Sequence, residues 1–260
     1  MRFYRRRLYD IYNFLARKKG CPVLSQDVHL LVADSGPKWR IELVGVSGVG
    51  KSFLSERLTE RLAGPFQWPR SFAPSSPGSG RDAVRGELFQ VALSKHVADS
   101  SNPNKKFTKV RRLAGVFEAD RKWDGGSGDS PVIFASGLVQ WLREELAELA
   151  EKRRKDFEEL MSERLVIFCT SDNPGLRGTT GRIARGSADS STMTAQTVRS
   201  RSNADIELHK FSKVVESHGV PVLRLNLDKP VDENVAHVAA FLQRNDITSP
   251  RIARWARKCS

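Results

Sequence analysis

Cysteine is scarce in this 260-residue chain: Cys21, Cys169 and Cys259 are odd in number and far apart. That excludes a disulfide scaffold, and no pair has the spacing of a metal site. The three read as reduced thiols of a cytosolic protein. Long apolar runs are missing too; none approaches the roughly 20 residues needed to span a membrane. The opening stretch MRFYRRRLYDIYNFLARKKG has no continuous apolar core and no small-residue cleavage site, so it does not read as a secretory signal. No internal repeat with a period of about 20–50 residues is present. His96, His209, His218 and His237 fall into no triad or metal spacing, which leaves no hydrolase reading. Hydrophobic residues still make up 39% of the chain, enough for a buried core.

Positive charge is in excess, and it is unevenly placed. The formal net charge is +13. Residues 1–19 carry seven Lys/Arg against the single Asp10, a local +6, and Arg251, Arg254, Arg257 and Lys258 add +4 near the other end. The residues between are close to balanced, so nucleic acid is not expected as the primary ligand. Residues 1–37 read as a basic amphipathic arm, 38–245 as one domain and 246–260 as a basic tail. Within the arm, Tyr4, Leu8, Ile11, Tyr12 and Leu15 share a helical face, with Arg5, Arg6 and Arg17 elsewhere. Such a helix suits an anionic membrane surface, a nucleic acid or an acidic partner. The same pattern fits a terminal helix packed on the domain with its arginines solvated. The expected location is cytoplasmic, with the inner face of the membrane as a peripheral site.

Apolar runs at 38–46, 66–72, 132–136, 164–170 and 220–227 read as strands, although Pro69 weakens the second. Helical patterns fall between them at 52–63, 82–97, 106–121, 138–163 and 203–218, and a last one covers 231–243. Alternation of strands and helices predicts an α/β fold, a five-stranded parallel sheet with helices on both faces.

Between the first strand and the first helix lies Gly45-Val46-Ser47-Gly48-Val49-Gly50-Lys51-Ser52, a full match to G-x-x-x-x-G-K-[ST]. Glycines let the backbone curl so that successive N–H groups point at phosphate oxygens, and the helix N-terminus adds a favourable dipole. Lys51 would neutralise β- and γ-phosphate charge, and Ser52 would hold Mg²⁺. Phe53 follows directly and is taken with Gly45, Ser47, Gly48, Val49, Gly50, Lys51 and Ser52 as the nucleotide-binding set.

With that loop, the sequence VIFASGLVQ after the third strand, and HGVPVLRLNLDKPVDENVAHVAAFL near the end, the chain resembles the P-loop kinase group of nucleoside, nucleoside-monophosphate and small-metabolite kinases. The resemblance covers roughly residues 38–243 and implies a three-layer P-loop NTPase fold. It further implies ATP and Mg²⁺ as cofactors and a small-molecule phosphate acceptor as partner. Arg177, Arg182 and Arg185 would then lie in a lid over the transferring phosphate, with Arg199 and Arg201 as rivals. Acceptor contacts would come from Arg81, Asp82 and Arg85, or from Arg111, Arg112, Asp120 and Arg121. Asp82 could take the proton of an attacking hydroxyl; each of these charges also reads as an ordinary helix-face residue.

One departure matters. Many kinases of this group carry an acid at the end of the third strand, where this chain has Ala135-Ser136. Neither residue supplies a carboxylate to magnesium or a general base of useful pKa. The expectation is therefore an ATP- and Mg²⁺-dependent phosphotransferase. Its alternatives are a nucleotide-binding protein with little turnover and a sulfotransferase-like P-loop enzyme.

Overall fold

Four short runs rich in Val, Ile, Leu and Phe fold as parallel strands. The computed structural model describes residues 28–30, 39–62, 80–98, 102–124, 131–172, 195–247 and 249–258. One sheet holds β1 (Val28–Leu30), β2 (Arg40–Val44), β3 (Val132–Phe134), β4 (Arg164–Thr170) and β5 (Val222–Asn226), in the order β1-β3-β2-β4-β5. Parallel pairing sets Arg40 opposite Val132 on one side and Arg164 on the other. β5 runs parallel to β4, whereas β1 runs antiparallel to β3. The expected five parallel strands are thus corrected to four, with an antiparallel edge strand taken from the segment read as a basic arm. Three residues are too short to carry a periodic signal. The strand expected at 66–72 lies outside the described residues.

The described helices are α1 (Lys51–Leu62), α2 (Gly80–Ala98), α3 (Pro103–Asp124), α4 (Leu138–Trp141), α5 (Arg143–Lys152), α6 (Arg154–Met161), α7 (Ala195–Ser217), α8 (Val231–Arg244) and α9 (Pro250–Ala256). Alternation along each strand decides which layer a side chain joins. Ile41, Leu43, Leu165 and Ile167 pack with Leu54 and Leu58 of α1, Val238 of α8 and Ile252 of α9. Val44, Val166 and Phe168 point the other way, onto Leu88 of α2, Leu113 of α3, Leu146 of α5 and Phe211 of α7. With both faces covered, β2, β3 and β4 are buried almost along their length, which is why they read as apolar runs. No described helix is long and apolar enough to cross a membrane.

Two expectations change. The single helix read over 138–163 is three, broken at Leu142 (φ −118°) and Arg153 (φ −141°). Neither break has a Gly or Pro to announce it. Within residues 246–260, read as a tail, Pro250–Ala256 form α9. Ser249 caps it by accepting the Ile252 N–H at 3.2 Å, and Ile252 is fully buried. The guanidinium of Arg61 and the ammonium of Lys258 lie 4.9 and 3.7 Å from the Trp255 ring centroid, so the positive charge is partly spent on packing.

Gly86 sits in the interior of α2 with nothing within 4 Å of a Cβ added there. Gly86→Ala is expected to raise stability by about 0.5–1 kcal/mol, the helix-propensity difference. Urea unfolding of the two proteins checks it; an unchanged or lower midpoint refutes it.

Candidate functional site

The glycine loop leaves β2 at its carboxyl end and turns into α1. Two apolar side chains moor it: Val46 and Val49 are buried in the same cluster as Ile41 and Leu58. Between and beyond them Gly48 (φ 84°) and Gly50 (φ 112°) take left-handed conformations that a side chain would strain. Ser47, Ser52 and Phe53 stay exposed, the last with the Arg57 guanidinium 5.1 Å from its ring centroid. α1 begins with the Leu54 N–H donating to Gly50 O at 3.0 Å.

Gly45 is there for space. A Cβ at this position would stand 2.5 Å from the carbonyl oxygen of Cys169 on the neighbouring strand. Its N–H donates to Gln140 Oε1 at 2.8 Å, tying the start of the loop to α4. Lys51 folds back over the loop, its Nζ donating to Gly45 O at 2.7 Å and Val46 O at 3.0 Å. Burial first, and the nearby Arg143 guanidinium second, lower the Lys51 pKa to about 8. Cys169 would oppose this only as a thiolate, and burial pushes its thiol up to about 12, so at neutral pH it carries no such charge.

Toward the amino ends of β2 and β4, on the α2–α7 side of the sheet, lies an ion network whose centre, Arg40, Glu42, Arg85, Asp120 and Arg164, is buried. Arg164 bridges Glu42 and Asp120, with 2.6 Å to Asp120 Oδ1. Asp120 also meets Arg85 at 2.8 Å and Arg40 at 3.4 Å. Asp82 pairs with Arg85 at 2.6 Å, while Glu163 takes Arg40 and Arg81, each at 3.3 Å. Four cations thus meet four anions. Burial opposes the charge on Asp120, yet Arg164, Arg40 and Arg85 hold its carboxyl below the usual range. Glu42 moves up instead, because burial outweighs Arg164 there. The second oxygen of Glu42 accepts the Val139 N–H at 2.8 Å, and a Cβ on Gly137 would overlap that carboxylate. Arg164, Glu42, Val139, Gln140 and Gly45 therefore form one mechanical connection from the core to the glycine loop.

The expected site residues divide accordingly. Gly45 to Phe53 lie together on the loop and the first turn of α1. Asp82, Arg81 and Arg85 join the ion network toward the amino ends of β2 and β4, at the opposite end of the sheet from the loop. Asp120 is buried in that network, and Arg111, Arg112 and Arg121 are exposed on α3. Arg177, Arg182 and Arg185 lie outside the described residues. At the end of β3, Ala135 is buried and Ser136 Oγ accepts the Trp141 Nε1–H at 3.0 Å. Among the described residues, no group of three or more His, Cys, Asp or Glu could hold a metal ion.

Sequence reasoning missed Glu42, Arg164 and Gln140. A signal existed for the first two: RIELV and RLVIFCT each place a charge inside an apolar strand, where only a buried partner allows it. Comparisons of the chain with protein-family models, with curated proteins and with solved structures find no match, so the functional reading rests on this geometry.

Proposed function

We propose that the chain is an ATP- and Mg²⁺-dependent phosphotransferase of P-loop kinase-like fold that acts on a small-molecule acceptor. The glycine loop at the carboxyl end of β2, with Lys51 folded over it, is the observation that carries this reading. The strand order supports it. From β2 the chain passes to β3 on one side, then crosses to β4 and β5 on the other, and such a reversal opens a crevice beyond the carboxyl ends of the strands.

The residues present fit both ligands. Positive φ at Gly48 and Gly50, neither of which carries a side chain, lets the loop backbone curl, and the exposed Ser52 offers a hard hydroxyl oxygen suited to Mg²⁺. When bound, Mg²⁺ supplies charge neutralisation at the β- and γ-phosphates. The loop amides orient the phosphates, and Lys51 exchanges its two carbonyl partners for phosphate oxygens. Gln140 holds the Gly45 end of the loop. Arg177, Arg182 and Arg185 serve as candidates to cover the transferring group.

A second reading, nucleotide binding with little turnover, is favoured by one observation: the β3 end has no carboxylate, and Ser136 is engaged by Trp141.

Millimolar Mg·ATP is expected to raise the melting temperature, since a ligand at 100 times its Kd adds about 2.7 kcal/mol. Lys51→Ala should abolish the rise. Affinity should fall as pH climbs through about 8, where Lys51 loses its proton. Binding near that pH should take up a proton, measurable by calorimetry in buffers of different ionisation enthalpy. A melting temperature indifferent to Mg·ATP overturns the proposal. ADP release screened across nucleosides, nucleotides and sugars then separates transfer from binding alone.

A further inference from the structure

We propose that Asp205 of α7 and Arg143 of α5 are the catalytic pair of the phosphate-loop crevice, and that they select an alcohol as acceptor rather than a phosphate. The inference rests on the phosphotransferase reading.

α7 follows β4 and precedes the parallel β5, so its first turns stand at the carboxyl side of the sheet, where the loop is. Ala204 packs against the cluster that contains loop residues Val46 and Val49. Asp205 lies three residues before the buried Leu208, on the same inward helix face. Its Oδ1 is buried with no hydrogen-bond partner. Across from it, Arg143 is half-buried at the first position of α5, three residues after the Gln140 that holds Gly45. Among the described residues Arg143 makes no hydrogen bond or ion pair. A buried carboxylate oxygen without a protein partner is one that water, an ion or a ligand can meet, and beside the loop it is placed to meet a ligand.

The electrostatics agree. Burial raises the Asp205 carboxyl, and Arg143 is the charged group that opposes the rise. Arg143 is itself lowered by burial, against Glu144 and Asp205, and it acts on Lys51. A carboxyl raised in this way is a better proton acceptor than a free aspartate.

In the step, the acceptor hydroxyl oxygen bonds the terminal phosphorus of ATP. The bond from that phosphorus to the bridging oxygen breaks, and its electron pair leaves on ADP. The hydroxyl proton goes to Asp205. Arg143 offsets the charge spread over the transferred phosphoryl oxygens. An acceptor that attacks through a phosphate dianion oxygen, as a nucleoside monophosphate does, has no such proton to lose, and that dianion would be repelled by the Asp205 carboxylate. The pair therefore points to nucleosides, sugars or other alcohols.

The test joins a titration with an acceptor screen. The ¹³Cγ resonance of Asp205 should titrate above the ordinary aspartate range and move higher still in Arg143→Gln, which removes the opposing cation. Alcohols should stimulate ADP release and nucleoside monophosphates should not. Asp205→Asn should cut the stimulated rate by about 100-fold or more while keeping the Mg·ATP melting shift. An Asp205 titration that is ordinary and blind to Arg143→Gln overturns the inference, as does equal stimulation by monophosphates. Loss of the wild-type melting shift instead overturns the phosphotransferase reading, and this inference with it.

Discussion

Arg164→Leu is expected to cost about 3–5 kcal/mol, a large part of the roughly 5–15 kcal/mol that holds a domain together. Arg164 is fully buried between Glu42 and Asp120, and its Nε also donates to Leu160 O at 3.0 Å. Leucine there leaves Glu42 as a buried acid with no cation. Lysine is expected to rescue little, because one ammonium cannot reach two carboxylates on different elements as a planar fork does. The expected partial rescue is Glu42→Met with Arg164→Met, since replacing both ends of a buried pair by apolar groups is far milder than orphaning one. Urea unfolding of the three variants decides the matter. A loss below about 1 kcal/mol for Arg164→Leu would show that the network is incidental.

Gly45→Ala is the second large effect, and it falls on binding as much as on stability. The added methyl stands 2.5 Å from the Cys169 carbonyl oxygen and 3.2 Å from Val49 Cγ1. Backbone cannot turn aside as a side chain can, so the loop must lift from β4. Forced overpacking costs about 1–3 kcal/mol. Lifting also breaks the bond from the Gly45 N–H to Gln140 and displaces the two carbonyls that hold Lys51. Under the proposed function, affinity for Mg·ATP should fall at least tenfold, about 1.4 kcal/mol. Isothermal titration provides the measurement. Wild-type affinity in Gly45→Ala would mean that the close approach to β4 plays no part in shaping the site.

Three of the parallel strands, β2, β3 and β4, were legible because both of their faces are buried, and burial on both faces writes itself as a mostly apolar run. The loop was legible because its motif, the preceding strand and the following helix all fall within residues 41–62. Elements defined by distant partners were not. Asp120 looks like any helix charge until Arg164, 44 residues away, is set beside it. β1 is a strand only because Phe134 and Val132 offer it an edge. The breaks in the long third-strand helix escaped notice for a related reason. Its surface pairs Glu148–Lys152 and Arg154–Glu158 flank Arg153, one on each side with ordinary i,i+4 spacing, so the charge pattern does not mark that break.

The connection from Arg164 through Glu42 to Gly45 also sets an order of events during folding. Glu42 and Arg164 are 122 residues apart. A chain emerging from the ribosome exposes the complete glycine loop long before the residue that neutralises Glu42 has been made. Until β4 docks, burying Glu42 is unfavourable, so Val139 and Gln140 have nothing firm to hold. Closing so long a loop is itself slow. The nascent chain therefore carries a motif whose anchor is incomplete, and under the proposed function the competence to hold phosphate arrives in one late step, with β4.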